Sequence, residues 1–432
     1  MELSFFKKNI KKGTLNFFNS IFLGIFIWVF FFIITPIGTK SNSLPTTLCF
    51  IFFSYLFLIL GYYLPPLSIT KKKQYIIDIE KALSYQKVKI LYCLIILIIF
   101  SFFFRYYDLF INRELSFYNS PLINKRIASN PKNFSLFFGS LSIFRTIYFV
   151  PLIFYFNYKI RKNEILIVCL FLFLFPILEA YLRDSRRIIF ELLILLLIIL
   201  FLFKKINLKS YKTYLVIFIV FLLFAAYSMT VTERRVKLTG SSFYEKIYTS
   251  PYNDFVPVKK EAMDFISING NNIISKAYFS EIHIGQYINH GVFEMGYMIF
   301  NLKEHKYGLY NSYLIIKFLN KIKLTNISLE HLNNPSDRNT YITFFGGMFL
   351  DFGWVSLPLM FLFGYFQKLI FYLGNNTFVF KPIMVVLYFS NIFLLVMNFI
   401  RAQFLLTIGV YLIFLLILAL SMSLLSNRIK RC

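Results

Sequence analysis

The sequence predicts an all-α, polytopic membrane protein with about ten transmembrane helices and one large extracytoplasmic loop. Three observations carry that prediction. Of the 432 residues, 58% are hydrophobic and only 15% charged, whereas a soluble domain carries about 25% charged residues. Ten apolar runs approach the roughly 20 residues that a bilayer span requires. The short segments between alternate runs are dense in lysine, the pattern of loops held on the cytoplasmic side. The formal net charge of +26 is therefore read as charge flanking spans, and no nucleic-acid partner is expected.

The runs fall near residues 15–34, 44–66, 90–110, 136–156, 164–182, 188–203, 213–229, 343–366, 382–399 and 404–424. The first follows MELSFFKKNIKK, a start like that of a signal peptide, but its length and the nine later runs favour a retained helix. The fifth and sixth are short and joined by YLRDSRR, which reads as the turn of a helical hairpin. Residues 1–229 thus hold seven spans, 230–340 the large loop and 341–432 three more spans. Within the loop, residues 273–300 and 309–323 have apolar residues at helical spacing, Ile315, Ile316, Leu319 and Ile322 in the second. Both are expected as amphipathic helices on the outer leaflet or packed over the spans. A connection this long is usually functional.

Composition also limits what can be read. The chain has 57 Phe and 30 Tyr but only nine Ala, the mark of AT-rich codon usage, so arginine and histidine placement is more telling than lysine or phenylalanine. Cys49, Cys93 and Cys169 fall in apolar runs and Cys432 is the last residue, which leaves no disulfide framework. No phosphate-binding glycine loop or metal-binding spacing occurs, and no cofactor or metal is expected.

With both termini cytoplasmic, ten spans put KKKQYIIDIEKALSYQKVK, NYKIRKN, KKINLKSYK and RIKRC on one side. Nineteen of the 32 lysines then face the cytoplasm, but only Arg161, Arg428 and Arg431 of the 14 arginines do. Lysine sets the orientation, and the external arginine bias points to an anion, since a planar guanidinium holds phosphate or carboxylate bidentately. Arg145 lies ten residues into LFFGSLSIFRTIYFVPLIFYF, where a charge costs roughly 2.5–3.5 kcal/mol unless it meets a partner or cavity. Its partner is either a carboxylate, Glu179 or Asp351, or a ligand phosphate. Arg183, Arg186 and Arg187 cluster in the hairpin turn, with Glu179, Arg183 and Arg187 at helical spacing. Arg234 and Arg235 follow span seven, Arg338 precedes span eight, and Arg401 joins the last two spans. Together these arginines are candidates for holding a diphosphate above one central cavity.

All four histidines, His283, His290, His305 and His331, lie in the large loop. A neutral imidazole or a positioned carboxylate can take a proton from a hydroxyl near pH 7. His290 and His331, the latter with Asp337, are the preferred bases: the first sits in an aromatic-rich stretch, and the others adjoin Arg338 at a span entry. Tyr287, Tyr297, Tyr310 and Tyr341 are candidates for stacking on sugar rings.

The segment NTYITFFGGMFLDFGWVSLPLMFLFGYFQKLI, with its Asn-Thr-Tyr entry and Asp-Phe-Gly-Trp turn, resembles bacterial oligosaccharide repeat-unit polymerases of the Wzy type, which build O-antigen and capsule. The stretch YLRDSRRIIFELLILLLIIL is similar to that family's arginine-containing hairpin. The resemblance covers overall topology and about a seventh of the chain. It implies a GT-C-like glycosyltransferase of the bacterial inner membrane. Its substrate would be an undecaprenyl-diphosphate-linked oligosaccharide at the periplasmic face, and its partners the lipid bilayer, a flippase and a chain-length regulator. Arg186 or Arg187 and Arg338 match the family's external arginines; Arg145 and Arg401 rest on physical argument alone. The first external loop, TPIGTKSNSLP, lacks acidic residues, which disfavours a carboxylate-and-metal mechanism there. An O-antigen ligase shares the large loop and is an alternative. A transporter or flippase of lipid-linked sugars is another, disfavoured by the long loop and the lack of repeat symmetry.

Overall fold

The computed structural model of the protein describes residues 17–400, apart from 41–42, 66–72, most of 121–134, 204, 207–209, 241, 270–271, 329–341 and 377–380. The described residues are helical, and their only β pairing is a single bridge between Ile37 and Val258. Helices α1 (Phe17–Ile34), α2 (Leu44–Tyr63) and α3 (Lys73–Tyr107) are followed by a π-helical turn, Asp108–Asn112. Next come α4 (Leu136–Leu141), α5 (Val150–Asn157), α6 (Asn163–Phe171) and α7 (Leu174–Leu182). After the hairpin turn follow α8 (Arg186–Leu202) and α9 (Tyr211–Thr239). The large loop holds α10 (Phe243–Tyr248), α11 (Lys260–Asn269), α12 (Ile273–Asn301) and α13 (Tyr313–Lys321). The chain then returns through α14 (Phe344–Phe352), α15 (Ser356–Asn376) and α16 (Lys381–Val396).

Among the described residues seven segments are long and apolar enough to cross a membrane: Phe17–Ile34, Leu44–Tyr63, Leu91–Asn112, Phe137–Asn157, Asn163–Leu182, Tyr211–Leu238 and Phe344–Phe371. The chain is thus a multi-pass helical membrane protein. Helices α8 and α16, with 17 and 16 residues, lie where two further spans are expected. At 1.5 Å per residue each reaches about 25 Å, near the thickness of a hydrocarbon core. The expected tenth span, 404–424, lies outside the described residues.

Two boundaries differ from the sequence expectation. Helix α9 runs past residue 229 to Thr239, because TVTERRVKL continues as good helix with a Glu233–Lys237 pair at 3.3 Å, until Gly240 takes φ +63°. The run 343–366 is broken: α14 starts on the Thr343 cap, whose hydroxyl accepts from the Gly346 amide at 3.0 Å, and stops at Gly353, φ +56°. Asp351 beside that break accepts from the Tyr310 and Asn311 amides at 3.0 and 2.9 Å, tying the end of the large loop to the span.

The core joins α1, α2, α3, α5, α8, α14 and α16 around Phe50, Phe149, Phe154, Phe345 and Phe389, all fully buried. Helices α2 and α15 cross closely because Gly61 and Gly364 face each other's backbone; a Cβ on either would run into Phe361 or Leu58. Asn398 donates to the Tyr55 hydroxyl and accepts from the Phe344 amide, joining α2, α14 and the end of α16.

At one end of the bundle several connecting segments contact one another. The Gly38 amide donates to Pro257 (2.7 Å) and the Lys259 amide to Pro36 (2.9 Å). Asn124 donates to the Leu182 carbonyl, and Arg234 meets Asp184. Helix α12 does not lie free on a leaflet: it packs against α1, α2, α9 and α14, with Gly285 against Thr35 and Gly296 against Ser43 and Thr47.

Candidate functional site

Two arginine clusters occupy that end of the bundle. The first is an ion network around Glu179 on α7, which meets Arg105 at 2.5 Å, Arg183 at 3.1 Å and Arg145 at 3.9 Å. Arg105 also approaches Asp108 at 3.7 Å, and Arg113 binds the same Asp108 oxygen at 2.8 Å. Arg145 donates to the Ser142 carbonyl at 2.8 Å, and its amide donates to Ser101. Buried charges persist only when paired, so these contacts explain how Arg145 is accommodated deep in an apolar run. Of the two carboxylates weighed for Arg145, Glu179 is in contact; Asp351 is engaged with Tyr310 and Asn311 instead. The network has four guanidiniums and two carboxylates.

The second cluster lines a cleft of about 400 Å³. Its polar lining is Arg186 and Arg187 from the start of α8, Arg235 from α9, His283 and Tyr287 from α12, and Tyr252. The rest of its lining is mostly apolar: Phe190, Phe224, Ile284, Ile288 and Ile400, with Ser185. The geometry has a local cause. The turn Arg183–Ser185, with Asp184 at φ +46°, reverses the chain and places Arg186 at the first position of α8. Asp184, itself buried, is held by Arg234 at 3.1 Å, while its carbonyl accepts from Arg235 at 2.6 Å, which fixes α9 against the turn.

Within the cleft Arg186 donates to the Thr232 hydroxyl at 3.2 Å; it feels the Asp184 charge, but among the described residues no carboxylate makes an ion-pair contact with it. Arg187 pairs with Glu191 at 2.8 Å and is half exposed. His283 is held well below the ordinary imidazole value, first by burial and then by Arg186 and Arg235, so its ring is neutral near pH 7. Burial pushes the Tyr252 phenol up to about 12, keeping it a hydrogen-bond donor. Chemically the cleft combines fixed cations, a neutral imidazole, two phenols and an apolar floor. It suits an anionic group joined to an apolar one, with a proton acceptor at hand.

The candidate residues sort accordingly. Arg186 and Arg187 line the cleft; Arg234 stands behind it, bound to Asp184 and over the Tyr181 ring at 5.0 Å. Arg145 and Arg183 belong to the Glu179 network. Of the histidines on α12, His283 lines the cleft and His290, one of the two preferred bases, does not, although the two lie on the same face two turns apart. His290 is fully buried, with Nδ1 3.2 Å from the Gln286 and Tyr287 carbonyls and its ring stacked on Tyr252 at 4.4 Å. Depth rather than rotation separates them: seven residues are about 10 Å along the helix, and Tyr252, near His283 at 5.7 Å, stacks directly on His290. His331, Asp337, Arg338, Arg401 and Tyr341 lie outside the described residues. Tyr297 and Tyr310 line no part of the cleft. Sequence reasoning missed Arg105, Asp108 and Arg113; an arginine and a glutamate in two neighbouring spans were the available signal. Among the described residues no group of three metal-binding side chains occurs.

Fold and site together define a multi-pass helical membrane protein with a cationic, amphiphile-shaped cleft at one end of its bundle. The chain matches no protein-family profile, no curated protein and no solved structure.

Proposed function

We propose that the chain is a ten-span, GT-C-like membrane glycosyltransferase that polymerises undecaprenyl-diphosphate-linked repeat units at the periplasmic face of a bacterial inner membrane, with both termini cytoplasmic. The observation that supports this reading most is Arg186, a guanidinium in the cleft whose described partner is a neutral hydroxyl, beside Arg187, Arg235 and an apolar floor. In the reaction the acceptor sugar hydroxyl attacks the anomeric carbon of the growing glycan. The anomeric C–O bond to diphosphate breaks, and its electron pair leaves on the diphosphate oxygen. The hydroxyl proton passes to neutral His283, while Arg186 and Arg235 stabilise the charge gathering on the diphosphate. Tyr252 and Tyr287 offer faces and hydroxyls to the sugars.

The test is a strain deleted for this protein and complemented with variants, scored for polymer ladders and for membrane abundance of the protein. A charge-assisted hydrogen bond is worth about 1.5–3 kcal/mol, so Arg186→Ala should lower polymerisation roughly 10- to 150-fold at normal abundance. Arg187, half exposed and paired with Glu191, should matter less than about fivefold, as for surface pairs. Ladders of wild-type intensity from Arg186→Ala would remove the diphosphate reading.

A further inference from the structure

On α8 and α9 the residues that line the cleft are ordered along the helix axes, arginines at the outer end and aromatic rings inward, while α12 contributes His283, Ile284, Tyr287 and Ile288 side by side. On α8, Phe190 lies four residues inward of Arg186, about 6 Å along the helix. On α9, Phe224 lies eleven residues inward of Arg235, about 16 Å. The two rings meet with centroids 5.5 Å apart and planes at 46°, bridging α8 and α9 below the cations. Inward of that pair α9 is peripheral. Thr213 is its sole buried position there among the described residues, and Leu215, Val216, Phe218, Ile219, Leu222 and Leu223 are 46–66% exposed. In a membrane protein such a surface faces hydrocarbon. A ligand embedded in the bilayer thus reaches the cleft along α9 without its apolar part entering water.

A water-soluble anion needs the arginines but not this floor. A head group joined directly to an apolar chain needs both, in this order along the membrane normal. Resting on the diphosphate reading above, we infer that the cleft admits its ligand sideways between α8 and α9, and that Phe190 and Phe224 seat the first units of an isoprenoid chain attached to the diphosphate. Branched, unsaturated isoprene units fit a ring-lined floor, and a single chain fits the one seam between two helices. The two phenylalanines are binding residues, remote from the reacting carbon.

The test uses the full chain in detergent and three soluble probes: inorganic diphosphate, farnesyl diphosphate and dihexanoyl phosphatidylglycerol. Their affinities are read by native mass spectrometry or thermophoresis. Micelles take up a given probe equally whichever variant is present, so the farnesyl-to-inorganic ratio compared between variants reports the site. The wild type should bind farnesyl diphosphate at least about tenfold more tightly than inorganic diphosphate. Phe190→Ser and Phe224→Ser should each shrink that ratio about threefold or more while keeping inorganic diphosphate affinity, which also shows that they fold. Phe224→Leu should keep the ratio. If the serine variants do not fold, Phe224→Trp, which fills the floor, must lower the ratio instead.

A wild-type ratio near one, or a ratio indifferent to all these substitutions, overturns the isoprenoid seat and leaves the diphosphate reading standing. Phosphatidylglycerol binding as tightly as farnesyl diphosphate, with the same dependence on Phe224, also overturns it and makes the cleft a phospholipid seat. Failure of every probe to bind the wild type overturns both.

Discussion

Replacing Glu179 with glutamine separates scaffold from ligand site in the arginine network. Glu179 is buried and lies 2.5 Å from Arg105, 3.1 Å from Arg183 and 3.9 Å from Arg145. The network's four guanidiniums are matched by two carboxylates, and the substitution leaves Asp108 alone against all four. Removing one partner of a buried ion pair costs about 3–5 kcal/mol. The glutamine carbonyl still accepts one hydrogen bond from Arg105, which places the expected loss at the lower end, about 3 kcal/mol. Removing a surplus cation should then help: Arg145→Gln on the Glu179→Gln background should return about 1–2 kcal/mol, a coupling ordinary for groups in one network. Thermal denaturation of the detergent-solubilised full chain, followed by size-exclusion recovery, measures both. A wild-type midpoint for Glu179→Gln, or an Arg145→Gln loss that simply adds to it, would refute the network and return Arg145 to the ligand.

Two further outcomes follow from other parts of the molecule. His283 titrates in the folded protein well below its unfolded value of about 6.5. The unfolded chain therefore takes up the proton first, and this group's contribution to stability is complete above pH about 6.5 and declines as pH falls toward the depressed value. His283→Gln should flatten the fall in thermal midpoint between pH about 6.5 and 5; an unchanged slope would show that His283 is not buried as described. At the α2–α15 crossing, Gly61→Val would drive its side chain into the Phe361 backbone and should cost about 3 kcal/mol, the upper range for overpacking. Gly240→Ala has open space around it and pays only for φ +63°, about 1 kcal/mol; equal midpoints for the two would refute the close crossing.

Seven of the ten expected spans were legible because bilayer length and apolarity act on single helices, one run at a time. The hairpin YLRDSRR was legible for a similar reason, as a short polar interruption between two apolar runs. The break at Gly353 was visible only as a turn motif; that α14 is a separate short helix follows from Asp351 being claimed by Tyr310 and Asn311 in the large loop, a contact that spacing does not encode. Likewise, which of His283 and His290 lines the cleft depends on how Tyr252 from the large loop packs along their shared face of α12, stacking directly on His290. The sequence places both histidines on one helix and goes no further.

The arginine bias itself divides once partners are known. Arg105, Arg113, Arg145 and Arg183 sit with Glu179 and Asp108, so part of the bias answers to buried carboxylates within the chain. Arg234 and Arg235 answer to Asp184 and its carbonyl. What is left over for an external anion is smaller and more definite: Arg186 at the mouth of an apolar cleft, with Arg187 and Arg235 beside it. A long-range excess of positive charge would draw any anion to this end of the bundle, whereas a single guanidinium held by Thr232 above Phe190 and Phe224 selects one whose charge is tethered to hydrocarbon. Selectivity here comes from that vertical order of charge over apolar floor, and raising the salt concentration should weaken inorganic diphosphate binding more than it weakens binding of the farnesyl form, because screening acts on the charge and leaves the floor untouched.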